Sequence, residues 1–75
     1  MTTLSQLSPG QRAKVTTVHG GGAIRQRLLD IGILPTATVE LQRVAPTGNP
    51  MWIKLGGAQI SLRSTEASSV EVEIL

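Results

Sequence analysis

The chain has 75 residues, a formal net charge of +2, no cysteine and a single aromatic residue, Trp52. Folding at this length hides only about 60% of the unfolded surface, so we expect a thin core and no deep ligand cavity. The lack of Cys excludes disulfides and thiolate metal sites and favours a reducing compartment. No signal pattern opens the chain, and no apolar run approaches the roughly 20 residues that cross a bilayer. We therefore expect one cytoplasmic domain over residues 1–75 that does not span a membrane.

The charges are unevenly distributed along the chain. All seven basic residues lie within residues 1–63, and the only acidic residues in that range are Asp30 and Glu40. Residues 64–75 carry three glutamates and no basic residue. Such an asymmetry can steer an acidic partner to one face, but scattered single charges are also typical of an ordinary solvated surface. Charge alone therefore does not identify a partner.

The first half of the chain contains one strand and the only helical pattern. A Pro-Gly turn at residues 9–10 leads into a strand over residues 13–18. Ile24, Leu28 and Ile31 then recur at i, i+4 and i+7, which predicts a short helix over residues 23–31. Gly32 occupies the position of a left-handed C-terminal cap, so this helix should end firmly.

The second half alternates between apolar and polar residues, as strands do. A change of apolar phase at residues 44–45 indicates a bulge, and the glycine pair at residues 56–57 predicts a tight hairpin. A helical turn over residues 64–67, with Ser64 as its N-cap, precedes the last strand. The residues of that strand predicted to face inward are Val70, Val72 and Ile74.

These elements together predict an all-β fold. Five short strands, a tight hairpin and one short α-helix after the first strand fit a small SH3-like barrel. An OB-type barrel is the alternative, but that fold usually has longer strands and a helix between its third and fourth strands.

No residue pattern indicates catalysis or a bound cofactor. His19 is the only imidazole, which is too few for a metal ligand set or a nucleophile and base pair. The glycine run at residues 20–22 lacks the Walker and dinucleotide-binding patterns. We predict no catalytic, metal or cofactor site, so the chain should act by binding a partner.

Four blocks of sequence, in their order and spacing, resemble the FeoA family of bacterial ferrous-iron uptake. They read LSPG at residues 7–10, RQRLLDIGILP at 25–35, VAPTGNP at 44–50, and ISLR at 60–63 followed by EA at 66–67 and VEV at 70–72. The resemblance implies a cytoplasmic SH3-like domain without enzymatic activity. Its partner would be FeoB, a membrane transporter with a cytoplasmic GTPase domain, which would recruit it to the inner face of the membrane. The family usually has Gly where this chain has Thr36.

The helix and the turn after it are the candidate docking surface. A small barrel cannot bury every apolar residue from Leu28 to Leu34, and an exposed apolar patch marks a partner surface; the alternative is that all of them cap the core. The candidate partner-binding residues are Arg25, Arg27, Leu28, Ile31 and Leu34. This interpretation predicts that Leu28→Gln abolishes ferrous-iron uptake while the domain stays folded.

Two other binding functions fit the same fold. An SH3-like adaptor would grip a peptide in a groove with Trp52 as its aromatic wall. A small basic barrel could bind nucleic acid, but a single Trp makes a poor stacking platform, so we expect no nucleic acid partner. The sequence is also compatible with a weak homo-oligomer.

Overall fold

A meander of four strands, with a fifth long strand that pairs with the first strand of the meander, forms the body of the structure. The computed structural model describes residues 2–75. The strands are β1 (Thr2–Thr3), β2 (Arg12–Val18), β3 (Thr38–Val44), β4 (Met51–Leu55), β5 (Ala58–Leu62) and β6 (Val70–Ile74). The helices are α1 (Gly22–Asp30), which follows β2, and α2 (Ser64–Ala67), which links β5 to β6, and a short 3₁₀ turn covers Leu4–Gln6.

All strand pairs are antiparallel, in the order β1-β6-β2-β3-β4-β5. After α2 the chain returns to β2, so β6 pairs with β2 and β5 keeps only β4 as a neighbour. The predicted all-β class is confirmed. The sixth strand, β1, was not predicted, because two residues are too few to show an alternating pattern.

The core is entirely aliphatic apart from one methionine. It consists of Leu4, Leu7, Ala13, Val15, Val18, Leu28, Ile33, Val39, Leu41, Met51, Ile53, Leu62, Ala67, Val70 and Val72. Val70 and Val72 face inward as predicted, but the same prediction for Ile74 is wrong, since its side chain is 47% exposed. Ile74 pairs with Ala13 at the end of the β2–β6 ladder. The alternation of apolar and polar residues continues to this point, but the side chain lies beyond the edge of the core.

The predicted bulge exists, two residues earlier than expected. In the β3–β4 ladder Leu41 pairs with Ile53 and Arg43 pairs with Trp52, so Gln42 is the extra residue. The inserted residue shifts the alternation by one position. The apolar phase therefore changes only when the next apolar residue, Val44, is reached. The predicted hairpin at residues 56–57 is confirmed, since Leu55 and Ala58 are paired on either side of it.

The C-terminal end of α1 is a Schellman cap. The Gly32 N–H donates to the Leu29 carbonyl (3.1 Å) and the Ile33 N–H donates to the Leu28 carbonyl (3.0 Å), with Gly32 at φ +99°. Leu28 and Ile33, the pair that accompanies this motif, are both fully buried. Gly32 is thus the helix-ending residue that the sequence predicts.

The turn after this cap holds Thr36 in a strained conformation. The Ala37 N–H donates to the Leu34 carbonyl (3.0 Å), and Thr36 lies at φ +78°. This is the position of a type II turn that favours glycine, the residue usual in the resembling family. Hydrogen bonds between Thr36, Ala37 and Val15 fix the turn against β2.

We expect Thr36→Gly to stabilise the domain by about 1 kcal/mol. A side chain in the left-handed region costs roughly 1–2 kcal/mol, from which the extra entropy that glycine loses on folding, about 0.5–1 kcal/mol, must be subtracted. Urea unfolding followed by Trp52 fluorescence measures the change. The control is Thr38→Gly in β3, where the same substitution should destabilise; a Thr36→Gly variant that is no more stable than the parent would contradict the strain.

We expect Leu28→Gln to unfold or strongly destabilise the domain. Leu28 has no exposed surface, and truncating such a leucine costs about 2–5 kcal/mol before any penalty for a buried amide is added. Because Leu28 is buried, we no longer expect the Leu28→Gln variant to stay folded, as the sequence alone had suggested. Leu34→Gln, at a residue 47% exposed, is the matched control and should unfold close to the parent in the same urea titration.

Candidate partner-binding surface

Helix α1 is anchored to the core only at its C-terminal half. Leu28 is its one buried residue, and residues 22–27 are all exposed. Ile24 is 38% exposed and lies close to the preceding loop. A Cβ atom added to Gly20 in that loop would lie 3.6 Å from the Ile24 Cγ2. The first turns of α1 therefore project into solvent.

Four of the five candidate residues reach the surface. Arg25 is exposed, and it forms no ion pair with any residue from 2 to 75. Ile31 is half-buried against the core and Leu34 is 47% exposed. Arg27 is half-exposed and bonded to α2, as described next. Leu28 belongs to the core, so its side chain is not available to a partner.

The sequence left two alternatives for the apolar residues from Leu28 to Leu34, exposure as a patch or burial in the core. The structure shows both, at different residues. Leu28 and Ile33 are fully buried, and Leu29 and Ile31 pack partly against the core. Only Leu34 remains largely exposed. The apolar part of the candidate surface is therefore small, and it is centred on Leu34 with Ile31 beside it in sequence.

An ion pair joins the two helices. Arg27 Nη1 donates to Glu66 Oε2, and the other oxygen of the same carboxylate accepts the Arg63 N–H (2.9 Å) at the start of α2. Arg63, not Ser64, is the N-cap, so that prediction is wrong. The Ser64 N–H donates instead to Asn49 Oδ1 (2.6 Å) in the β3–β4 loop.

These contacts enclose a shallow groove beside α1. Its lining residues are Arg27, Asn49, Pro50, Ser61, Arg63 and Glu66. The sequence did not single out Asn49, Arg63 or Glu66 as parts of one surface, because they are far apart along the chain. The signal was present in another form: these residues all belong to the blocks that carry the family resemblance. Three of the four blocks contribute residues to this groove.

Trp52 lies on the face of β4 opposite the buried Met51 and Ile53. The Arg43 guanidinium carbon is 4.2 Å from the centroid of its ring, and the two residues are paired across the β3–β4 ladder. At this distance the cation is attracted to the ring face. One face of the only aromatic ring is therefore occupied by Arg43, which weakens the peptide-groove alternative.

The imidazole of His19 lies beside one carboxylate. Its Nε2 is 3.4 Å from Glu71 Oε1, and the side chain is 53% exposed. Across residues 2–75 no three His, Asp or Glu side chains are grouped so that they could hold a metal ion.

Neither α1 nor α2 has the length and the apolar run needed to cross a membrane; this holds for residues 2–75.

Comparison with known proteins gives one family. The FeoA domain profile matches residues 2–74. An Fe(2+) transport protein A/Fe(2+) transporter FeoB fusion protein of Porphyromonas gingivalis is 32% identical over 72 residues, which cover 96% of this chain but only 8% of the fusion protein. The chain thus corresponds to a small part of that relative.

Two solved structures share both the fold and the sequence pattern. The solution structure of the FeoA protein from Chlorobium tepidum has a TM-score of 0.90 and 38% identity, and the match covers 99% of this chain and 70% of that one. The crystal structure of zinc-complexed Stenotrophomonas maltophilia FeoA, described as a prokaryotic SH3 domain protein, has a TM-score of 0.86 and 30% identity, covering 97% and 91%. The chain therefore belongs to the FeoA domain family, and its all-β fold is the SH3-like fold of that family.

Proposed function

We propose that this chain is an accessory protein of ferrous-iron uptake that binds the cytoplasmic GTPase part of a FeoB transporter. The observation that carries the proposal is the Porphyromonas gingivalis relative, in which a matching segment and FeoB are one polypeptide. A covalent link holds two domains at an effective concentration in the millimolar range. Where such a domain and FeoB are separate chains, affinity has to replace that link, which requires a docking surface.

The docking surface consists of Arg25, Arg27, Ile31 and Leu34. Arg25 forms no ion pair with the rest of residues 2–75, and Leu34 is the most exposed apolar side chain of the segment. Interfaces commonly surround a small apolar centre with polar residues, and arginine is enriched among them. The partner should therefore present an apolar residue for Leu34 and a carboxylate for Arg25.

The Arg27–Glu66 ion pair also positions this surface. It fixes α1 against α2 at the half of the helix that is already anchored by Leu28. A fixed helix presents Arg25 and Leu34 in one arrangement, which lowers the entropy cost of binding. In this proposal the chain contributes binding only, and the chemistry of nucleotide hydrolysis stays with the transporter.

Replacing Arg25 and Leu34 together should weaken FeoB binding without unfolding the domain. We expect the Arg25→Gln, Leu34→Gln double variant to bind detergent-solubilised FeoB about 30- to 1,000-fold more weakly, because truncating two central interface residues costs on the order of 1–2 kcal/mol each. The measurement is biolayer interferometry with immobilised full-length FeoB, without nucleotide, with GDP and with a GTP analogue.

The matched control replaces one basic and one exposed apolar residue of the sheet, outside α1 and the turn that follows it. Lys14→Gln with Val44→Gln makes the same change in charge at two residues that are also exposed, and it should bind within about threefold of the parent. Equal weakening in both double variants would contradict the assigned surface. Failure of the parent chain to bind FeoB in any nucleotide state would overturn the proposed function itself.

A further inference from the structure

We propose that β5 is a self-pairing edge, through which two copies of this chain join antiparallel around a two-fold axis at Ile60. The two edges of the sheet differ in how they are protected. One edge ends in β1, a strand of two residues, and β6 beside it carries Glu71 and Glu73. Short strands and charges are the usual protection against pairing with another chain.

The opposite edge has neither form of protection. Strand β5 is five residues long, reads Ala-Gln-Ile-Ser-Leu, and contains no charge and no proline. Its only strand neighbour is β4. Within residues 2–75 no loop or helix backbone forms a hydrogen bond with it either. An edge of this kind is a ready template for an added strand.

The hairpin register shows which backbone groups are free. The two-residue turn makes Leu55 and Ala58 a hydrogen-bonded pair, and by alternation Ile53 and Ile60 form the next such pair. Gln59 and Ser61 therefore direct their N–H and C=O groups away from β4. These four groups are the donors and acceptors that an incoming strand would satisfy.

The strand is complementary to itself. With the axis at Ile60, Gln59 of one copy lies opposite Ser61 of the other, so each residue donates to and accepts from its counterpart. No charged residue meets a like charge, because the strand has none. The uncharged strand and the partly exposed Ile60 each match their own copy across this axis, and this is why a second copy is the occupant we assign.

Ile60 supports the same arrangement. It faces the core side, since its ladder partner Ile53 is fully buried, yet Ile60 itself is only partly buried, because within residues 2–75 no strand pairs with the far side of β5. In the symmetric pair the two Ile60 side chains are neighbours across the axis and cover each other. Five residues per copy make an interface smaller than those of stable dimers, so we expect a dissociation constant on the order of 100 μM.

Two variants that differ at one position test the register. In the double variant Gln59→Glu, Ser61→Lys, the glutamate at residue 59 would face a lysine at residue 61 of the other copy. In the double variant Gln59→Glu, Ser61→Glu, the same glutamate would face a second glutamate. Both lose the Gln59–Gln42 side-chain hydrogen bond, so only the charge at residue 61 distinguishes them. We expect dimerisation about two- to tenfold tighter than the parent's for the first and at least as much weaker for the second.

Sedimentation equilibrium up to 1 mM measures these constants, and hydrogen exchange locates the interface. The Gln59 and Ser61 amides should become protected as concentration rises, while the Ile60 amide is protected by β4 at every concentration. A parent chain that is monomeric at 1 mM, or two charge variants with equal constants, would overturn the proposal.

A proline variant separates a second copy from another strand donor. Gln59→Pro removes only an outward N–H, which edge strands tolerate, so the domain should fold but lose dimerisation. If it fails to fold, the two charge variants decide alone. If the parent is monomeric and Gln59→Pro abolishes FeoB binding, the edge belongs to the transporter, and self-pairing is wrong. Because Arg25 and Leu34 lie outside β5, their double variant should dimerise like the parent.

Discussion

The capped end of α1 is the constraint on which the rest of the docking surface depends. Leu28 is the only fully buried side chain of the helix, with Leu29 packed partly against the core, and the Schellman cap at Gly32 turns the chain so that Ile33 enters the core beside Leu28. Everything before Leu28 on the helix is consequently free to face solvent. The Arg27–Glu66 ion pair adds a second attachment one residue away, so α1 is held firmly at one end and presented at the other.

A thin aliphatic core explains why binding takes place at the periphery. Apart from Met51, the core side chains of the sheet are small or branched aliphatic groups, and the core includes no aromatic residue. A domain of this size has no volume left for an internal ligand. The surfaces that remain for binding are an exposed helix, a groove lined by two arginines and a free sheet edge, and all three suit macromolecular partners.

Local sequence signals predicted the fold well where a single residue type decides the backbone. Gly32 ended the helix, the glycine pair at residues 56–57 made the hairpin, and the alternation around Ile53 placed β4. The failures came from ends and from long-range contacts. Ile74 continues an apolar alternation past the end of the core, and β1 exists only because β6 lies beside it.

The candidate surface was predictable in position but not in composition. The excess of apolar residues after Ile24 is what led to the choice of α1 and its turn as the candidate surface. Periodicity places Leu28 on the same face as its neighbours, but it cannot say which of them the core will take. Likewise, nothing local connects Arg27 with Glu66, because the ion pair depends on where α2 returns to the sheet. The groove that contains this pair therefore required the fold.

The two surfaces are separate in residues yet adjacent in space. Ser61 belongs to β5 and also lines the groove that Arg27 borders. A second copy paired along β5 would therefore stand next to that groove and, through Arg27 and Glu66, next to the anchored half of α1. Leu34 and Arg25 carry the transporter contact in our proposal, so dimerisation need not block it.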